Sequence, residues 1–477
     1  MSLEEKELDI LRNAIDIAEK RKGQKTLSDP DVKKIIGILE EFLKKKKLVC
    51  YGGTAINNIL PLEDQFYDKN IEIPDYDFYS PNALDDAKEL ADIYYNAGFQ
   101  EVEAKSGVHH GTYKVFVNFI PVADITYLEM SLFKRVQKEA MRVYGILYCP
   151  PNFLRMNMYL ELSRPAGDIS RWEKVLKRLI LLNKNYPLKG KHCDPQSFQR
   201  QFERIDNNKE EQLYYVVRDS FVDQGVVFFG GYASFLYSTY MPSKQKKLFQ
   251  KTPDFDVLSE EPEKAATMLK ERLEDFDYKG IKVIKHEGIG ELIAPHFEVK
   301  VKMNNIEETV AFIYKPLACH SYNVIKKGSK NIRVATIDTM LSFYFAFFYS
   351  GREYYDDNRI VCMAQYLFEV QQKNRLQQKG LLKRFSINCY GKQETLEEMR
   401  STKTNKYKEL KHKRNSKEYE SWFLRYVPFE QDPHKSHSRS NKKTKNNKKH
   451  SSRASTTKRH NKKTKKNTKG KGIFGLF

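Results

Sequence analysis

The sequence predicts an α+β chain of two tandem domains, each a mixed sheet flanked by helices, with helical additions and a disordered basic C-terminal tail. Three observations predict it. A strand, Gly-Gly, helix, Asp-x-Asp pattern occurs twice. The segments around each copy alternate between strand-like and helical spacing. The composition turns abruptly polar and basic at Gln431. The repeat spans roughly 80 residues per copy, too long and too few in number for a solenoid. Five regions are expected: N-terminal helices over 1–46, a first domain over 47–190, a second over 191–375, a helical region over 376–430 and the tail over 431–477.

In order, residues 3–22 and 31–46 have helical periodicity, the second behind Ser28-Asp29-Pro30, where Ser or Asp can cap and Pro suits the first turn. Residues 48–51 read as a short buried strand, Gly52-Gly53 as a tight turn, and the stretch to Leu60 as a helix. Residues 74–79 form a strand, 82–97 a helix, and 99–105, 112–119 and 122–127 three further strands. Residues 150–184 are helical, and 210–224 lead into the second Gly-Gly unit, which repeats the order through residue 313. An extra hairpin is expected over 322–334, then helices over 337–350 and 356–373 and a charged helical region over 393–422.

An apolar content of 40% with 13% aromatics across 477 residues supports buried cores. The six cysteines stand singly with no C-x-x-C pair, which argues against a disulfide framework or zinc site and for a reducing intracellular setting. Glu4, Glu5, Glu7 and Asp9 occupy the place of a secretory signal's apolar core, and the longest mostly apolar run, residues 340–349, is too short to span a bilayer. A soluble protein without membrane association is therefore expected. From Gln431 onward 16 Lys and Arg face the single acid Asp432, so this stretch carries +15 of the formal +21. It has too little apolar surface to offset its ordering entropy, and its charge suits a polyanion.

The first copy reads Val49-Cys50-Tyr51-Gly52-Gly53-Thr54 and then Pro74-Asp75-Tyr76-Asp77-Phe78; the second reads Val227-Phe228-Phe229-Gly230-Gly231-Tyr232 and then Pro253-Asp254-Phe255-Asp256-Val257. Side chains i and i+2 of a strand share a face, so Asp75 and Asp77 project together. Asp124, in Val122-Ala123-Asp124-Ile125, faces the same cleft from a later strand. Two carboxylates ~6 Å apart repel by about 3 kcal/mol at an effective dielectric near 20. Three of them call for cations, and oxygen-only ligation suits two Mg²⁺ or Mn²⁺ ions, an arrangement fitted to phosphoryl or nucleotidyl transfer. Gly52 and Gly53 admit close backbone approach to a triphosphate at a helix start, where Thr54 adds a hydroxyl. In the second copy Tyr232 replaces Thr54 and Phe312 replaces the third aspartate. The segment Ser170-Arg171-Trp172-Glu173-Lys174 reads either as a phosphate-contacting helix start, with Ser170 and Lys174 one turn apart, or as an ordinary capped helix.

These segments resemble the nucleotidyltransferase superfamily of DNA polymerase beta, CCA-adding enzymes and poly(A) polymerases. More narrowly, Gly52-Gly53-Thr54-Ala55-Ile56-Asn57, Ile73-Pro74-Asp75-Tyr76-Asp77-Phe78 and the stretch 159–174 resemble the poly(A) polymerase catalytic subunit of large nucleocytoplasmic DNA viruses, of giant-virus, asfarvirus and poxvirus type. The resemblance covers about residues 45–425 and leaves out the tail. It implies two tandem nucleotidyltransferase-like domains, the first active and the second degenerate, and template-independent transfer of AMP from ATP to an mRNA 3′-hydroxyl. It implies Asp75, Asp77 and Asp124 as catalytic metal ligands and Gly52, Gly53, Thr54, Ser170 and Lys174 as nucleotide-binding residues. Expected partners are the mRNA 3′ end, ATP, and either a second copy of the chain or a viral processivity subunit of cap-methyltransferase type. The expected location is the host cytoplasm at sites of viral transcription, with packaging in the virion. The residues alone leave open a uridylyl, CCA-adding or oligoadenylate-forming transferase, and a non-catalytic RNA-binding scaffold.

Overall fold

The structure, a computed structural model, describes residues 3–68, 74–193, 207–246, 254–290, 292–303 and 305–431. Residues Met1–Val427 form one compact unit; the second unit begins at Pro428, and its described part is the short helix Pro428–Gln431. The expected disordered tail, apart from Gln431, lies outside the described residues.

The first unit is built on two eight-stranded sheets. The first contains β1 (Val49–Tyr51), β2 (Tyr76–Ser80), β3 (Val102–Ser106), β4 (Thr112–Val117), β5 (Ile120–Tyr127), β6 (Met141–Val143) and β7 (Ile146–Tyr148). The second contains β8 (Val227–Phe228), β9 (Phe255–Leu258), β10 (Lys282–His286), β11 (His296–Met303), β12 (Ile306–Tyr314), β13 (His320–Lys327), β14 (Lys330–Ala335) and β15 (Cys389–Tyr390). β16 (Arg425–Tyr426) closes the far edge of the first sheet by pairing with β3.

Seven strands of each sheet hold equivalent places. The first runs β3-β4-β5-β2-β1-β7-β6 and the second β10-β11-β12-β9-β8-β14-β13. The senses agree as well: β2 is parallel to β5 as β9 is to β12, β1 is parallel to β7 as β8 is to β14, and the other pairings are antiparallel. The expected extra hairpin is therefore not extra. β13 and β14 have their counterparts in β6 and β7, a hairpin that the sequence reading missed.

Alternation along the strands makes the first sheet two-faced. In β4, Tyr113, Val115 and Val117 are buried while Lys114 and Phe116 are half-exposed; in β2, Tyr76, Phe78 and Ser80 are buried and Asp77 and Tyr79 are not. Helices Pro30–Lys46 and Ala83–Asn96 cover the apolar face, joined where the Tyr94 hydroxyl donates to the Ile35 carbonyl (2.9 Å). Asp29 caps the first of these by accepting from the Asp31 N–H (2.8 Å).

The apolar run 340–349 proves to be the heart of a shared core. Helix Ile337–Ser350 buries all but two of its residues and packs on Pro151–Leu162 of the first half, with Phe153 against Tyr349 at 5.0 Å between ring centroids. Such all-round hydrophobicity is that of a fully enclosed helix. No helix among the described residues is long and apolar enough to cross a membrane.

One expectation is corrected. Cys193 pairs with Cys362 and Cys319 with Cys389 as disulfides, across 169 and 70 residues, leaving Cys50 and Cys149 as buried thiols. Pairs this distant leave no trace in local spacing. Within the charged helical region 393–422, Leu396–Leu410 and Lys417–Phe423 are separate helices, and the chain then enters the first sheet as β16.

Candidate active site

β2 and β5 run parallel with Asp77 opposite Asp124, which puts both carboxylates on the open face of the first sheet. Asp75 is exposed just ahead of β2 and Asp77 is half-buried. Partial burial, then the nearby Asp75 and Asp124, push the Asp77 carboxyl up to about 7, against the pull of Lys114 and Arg171. Asp75 is raised too, by burial on its inner side and then by Asp124, with Lys114 and Lys174 opposing. Asp124 itself is ion-paired with Lys114 of β4, the residue opposite it. The three carboxylates thus share one electrostatic neighbourhood, but no group of three or more His, Cys, Asp or Glu is drawn into a metal cage among the described residues. The donor set is oxygen-only, and its mutual repulsion is relieved by any cation, as Lys114 already demonstrates. That chemistry fits Mg²⁺ or Mn²⁺.

Beside the carboxylates, β1 is followed by Gly52 with φ +73, and helix Gly52–Ile59 begins without a side-chain cap. Its first N–H groups are therefore left for an anion. A Cβ on Gly52 would lie 2.6 Å from Asp77 Oδ2, so only glycine lets the turn close over that carboxylate. A Cβ on Gly53 would meet the Tyr67 hydroxyl at 2.4 Å and the Arg178 guanidinium at 3.0 Å. Thr54 is buried and its hydroxyl donates to the Asp75 backbone carbonyl (2.6 Å), tying the turn to the first aspartate.

Asp168 accepts from both the N–H and the hydroxyl of Ser170, starting a 3-10 turn that runs into helix Trp172–Asn185. Ser170 and Lys174 are exposed, and Lys174 and Arg171 act electrostatically on Asp75 and Asp77, so this segment faces the carboxylates. Trp172 is partly buried and donates to the Glu161 carbonyl (3.0 Å). Sequence reasoning missed Arg178, one turn beyond Lys174. Its guanidinium donates to Tyr67 (2.6 Å), stacks over Phe66 at 4.9 Å and backs the Gly53 turn. The i, i+4 spacing from Lys174 was the available signal.

The equivalent place in the second sheet is shut. Asp256 is opposite Phe312, and Asp254 and Asp256 are 2% and 8% exposed. Gly230 and Gly231 press so closely on them that added Cβ atoms would fall 2.0 and 2.1 Å from their carboxylate oxygens. The Arg359 guanidinium stands 3.9 Å from Asp254, and the cavity lined by Asp256, Tyr344, Tyr354 and Arg359 holds about 20 Å³, too little for a nucleotide.

Residues 37–168 match the family model of the poly(A) polymerase catalytic subunit. This stretch contains the Gly-Gly turn and all three aspartates, and the resemblance read from the sequence is borne out. The chain is similar to proteins named as poly(A) polymerase catalytic subunits in African swine fever virus (33% identical over 178 residues, 36% of this chain and 36% of that protein) and in Acanthamoeba polyphaga mimivirus (34% over 160 residues, 32% and 26%). The matches thus span about a third and about a quarter of the length of those relatives. The fold is shared with the crystal structure of the Megavirus polyadenylate synthase: TM-score 0.74 at 20% identity, covering 93% of this chain and 90% of that one.

Proposed function

We propose that the first sheet carries the active site of a poly(A) polymerase, adding AMP from ATP to RNA 3′-hydroxyls without a template. The observation that carries the reading is the register of Asp77 and Asp124 on the open face, beside an uncapped helix start within the matched segment. Asp75, Asp77 and Asp124 are the residues that hold the divalent ions. Bound Mg²⁺ or Mn²⁺ supplies a lowered pKa for the acceptor hydroxyl and neutralises charge on the reacting and leaving oxygens. The chain does the rest. The N–H groups of Gly52 and Gly53 receive the triphosphate, Lys174 and Arg178 offset its charge from the neighbouring helix, and Ser170 adds a hydroxyl at the rim. Lys114, ion-paired with Asp124, already offsets part of the charge that the three carboxylates bring together.

On this reading residues 47–190 form the catalytic domain and 191–375 a degenerate copy, with 1–46 and 376–430 as helical additions; the common strand order supports it. Arg359 fills electrostatically the place a cation has in the first site. A second copy of the chain or a processivity subunit is the proposed protein partner, and the host cytoplasm the proposed place of action. The test is extension of a labelled RNA primer with each of the four NTPs and Mg²⁺ or Mn²⁺. Adenylate addition is expected; extension with another nucleotide alone, or none with any, overturns the reading.

A further inference from the structure

The register of the first sheet continues beyond the two aspartates. Tyr51 is opposite Asp77, Asp77 opposite Asp124, Asp124 opposite Lys114, Lys114 opposite Lys105, and Lys105 opposite Arg425. Residues directly across a ladder project to the same side. Three cations from three successive strands therefore continue the carboxylate row toward the β16 edge. At about 4.8 Å per strand the row extends ~14 Å from Asp124 to Arg425. Their side chains are 39%, 44% and 72% exposed for Lys114, Lys105 and Arg425.

The row is not a requirement of the fold. The second sheet makes the same strands in the same order, and its corresponding row reads Asp256, Phe312, Glu298, Ile284. Where the third aspartate gives way to Phe312, the two lysines give way to a glutamate and an isoleucine. The cations accompany the open carboxylate site, and the closed one lacks them.

The present partners of Lys105 and Arg425 are weak and exchangeable. Lys105 is 3.4 Å from Glu103 and lies over the Phe116 ring at 4.1 Å; Arg425 is 3.6 Å from the same Glu103. Exposed pairs of this kind contribute about 0–1 kcal/mol, less than a phosphate contact with counterion release can replace. Phe116 gives the row one half-exposed aromatic surface, and cations beside a ring suit a single strand, whose bases stack while its phosphates are tracked.

We propose that Lys114, Lys105 and Arg425 form a phosphate rail for the acceptor RNA. The strand enters at the β16 edge with its 5′-ward phosphates on Arg425 and Lys105, and its 3′-hydroxyl reaches the aspartates past Lys114. The assignment rests on the reading of the first sheet as a site of nucleotide transfer to RNA. It adds which side of that site the acceptor occupies.

The test uses the full chain and a 5′-fluorescent oligo(A) RNA, with anisotropy read across a potassium chloride series, for the wild type, Lys105→Gln, Arg425→Gln and the double variant. Lys105→Arg is the conservative rescue, and Lys285→Gln, on exposed β10 of the second sheet, is the charge-matched control. The double variant is expected to bind about tenfold more weakly at 0.1 M salt, with a log–log salt slope lower by about 1.4, the value for two lost single-strand phosphate contacts. In primer extension its KM for RNA rises by the same factor while its KM for ATP stays in place, a split that a misfolded sheet would not give. Lys105→Arg retains the wild-type slope. Affinity and slope equal to wild type in the double variant, or a loss in Lys285→Gln equal to that in Lys105→Gln, overturn the rail. A wild type that extends no primer, yet shows the expected binding losses in the variants, sinks the transferase reading and leaves the rail standing.

Discussion

Gly52→Ala separates the fold's demand on the Gly-Gly turn from the site's demand. Gly52 sits at φ +73, and an L residue there costs about 1–2 kcal/mol. Gly328, at the β13–β14 turn, sits at φ +63 with nothing within 4 Å of an added Cβ, so Gly328→Ala bears the same backbone strain and no clash. At Gly52 the new methyl would lie 2.6 Å from Asp77 Oδ2, where ordinary contact begins at 3.4 Å. The carboxylate must retreat by about 0.8 Å, and displacement on that scale lowers rates by about a hundredfold where reacting groups must be aligned. Both variants are therefore expected to lose about 1–2 kcal/mol in urea unfolding, but only Gly52→Ala to lose about a hundredfold in single-turnover adenylate addition at saturating ATP. Gly52→Ala with a rate within threefold of wild type, or Gly328→Ala with an equal loss of rate, would refute the claim that the turn sets the position of Asp77.

Further outcomes follow from other contacts. Asp77→Asn and Asp124→Asn should each abolish primer extension, whereas Asp254→Asn and Asp256→Asn in the closed second sheet should leave it unchanged. Thr54→Val should destabilise the protein by about 1–2 kcal/mol by orphaning the Asp75 carbonyl, and should lower kcat without raising the KM for ATP. A rise in that KM alone would restore Thr54 as a phosphate ligand. Burial holds the His296 imidazole down to about 4 and His320 to about 3, both below the ordinary 6.5. At these two side chains the unfolded chain therefore binds more protons than the folded one below pH 6.5. Their contribution to stability should fall as pH drops from 6.5 toward 4, by about 3 kcal/mol for His296 alone, opposed by the raised Asp77 carboxyl, which favours the folded state over the same range. His320→Phe should flatten that slope in chemical unfolding at stepped pH, and an unchanged slope would remove His320 from the account.

The parts of the site legible in the sequence were those with local signatures. Asp75 and Asp77 share a face because they are two residues apart, the Gly-Gly turn announces itself, and Phe312 opposite Asp256 follows from aligning the two copies. What stayed hidden depends on pairing between distant segments. Lys105 and Lys114 read as scattered charges until the β3–β4 register places them side by side, and Arg425 comes from the far end of the described chain, just after a region that reads as helical. The β6–β7 hairpin was missed because its strands have three residues each, joined through Tyr144 and Gly145 at φ 49 and 86. Thr54 shows the same limit from the other side. A hydroxyl in a phosphate-type turn is a reasonable ligand by composition, and only the fold reveals its burial and its structural bond to Asp75.

β16 has a bearing on how the molecule is born. The edge strand of the first sheet is among the final described segments to leave the ribosome, after the whole second sheet has emerged. A nascent chain can gather its aspartates early, but that sheet stays one strand short until translation reaches residue 426. Truncated products are consequently left with a bare β3 edge, open to the wrong neighbour.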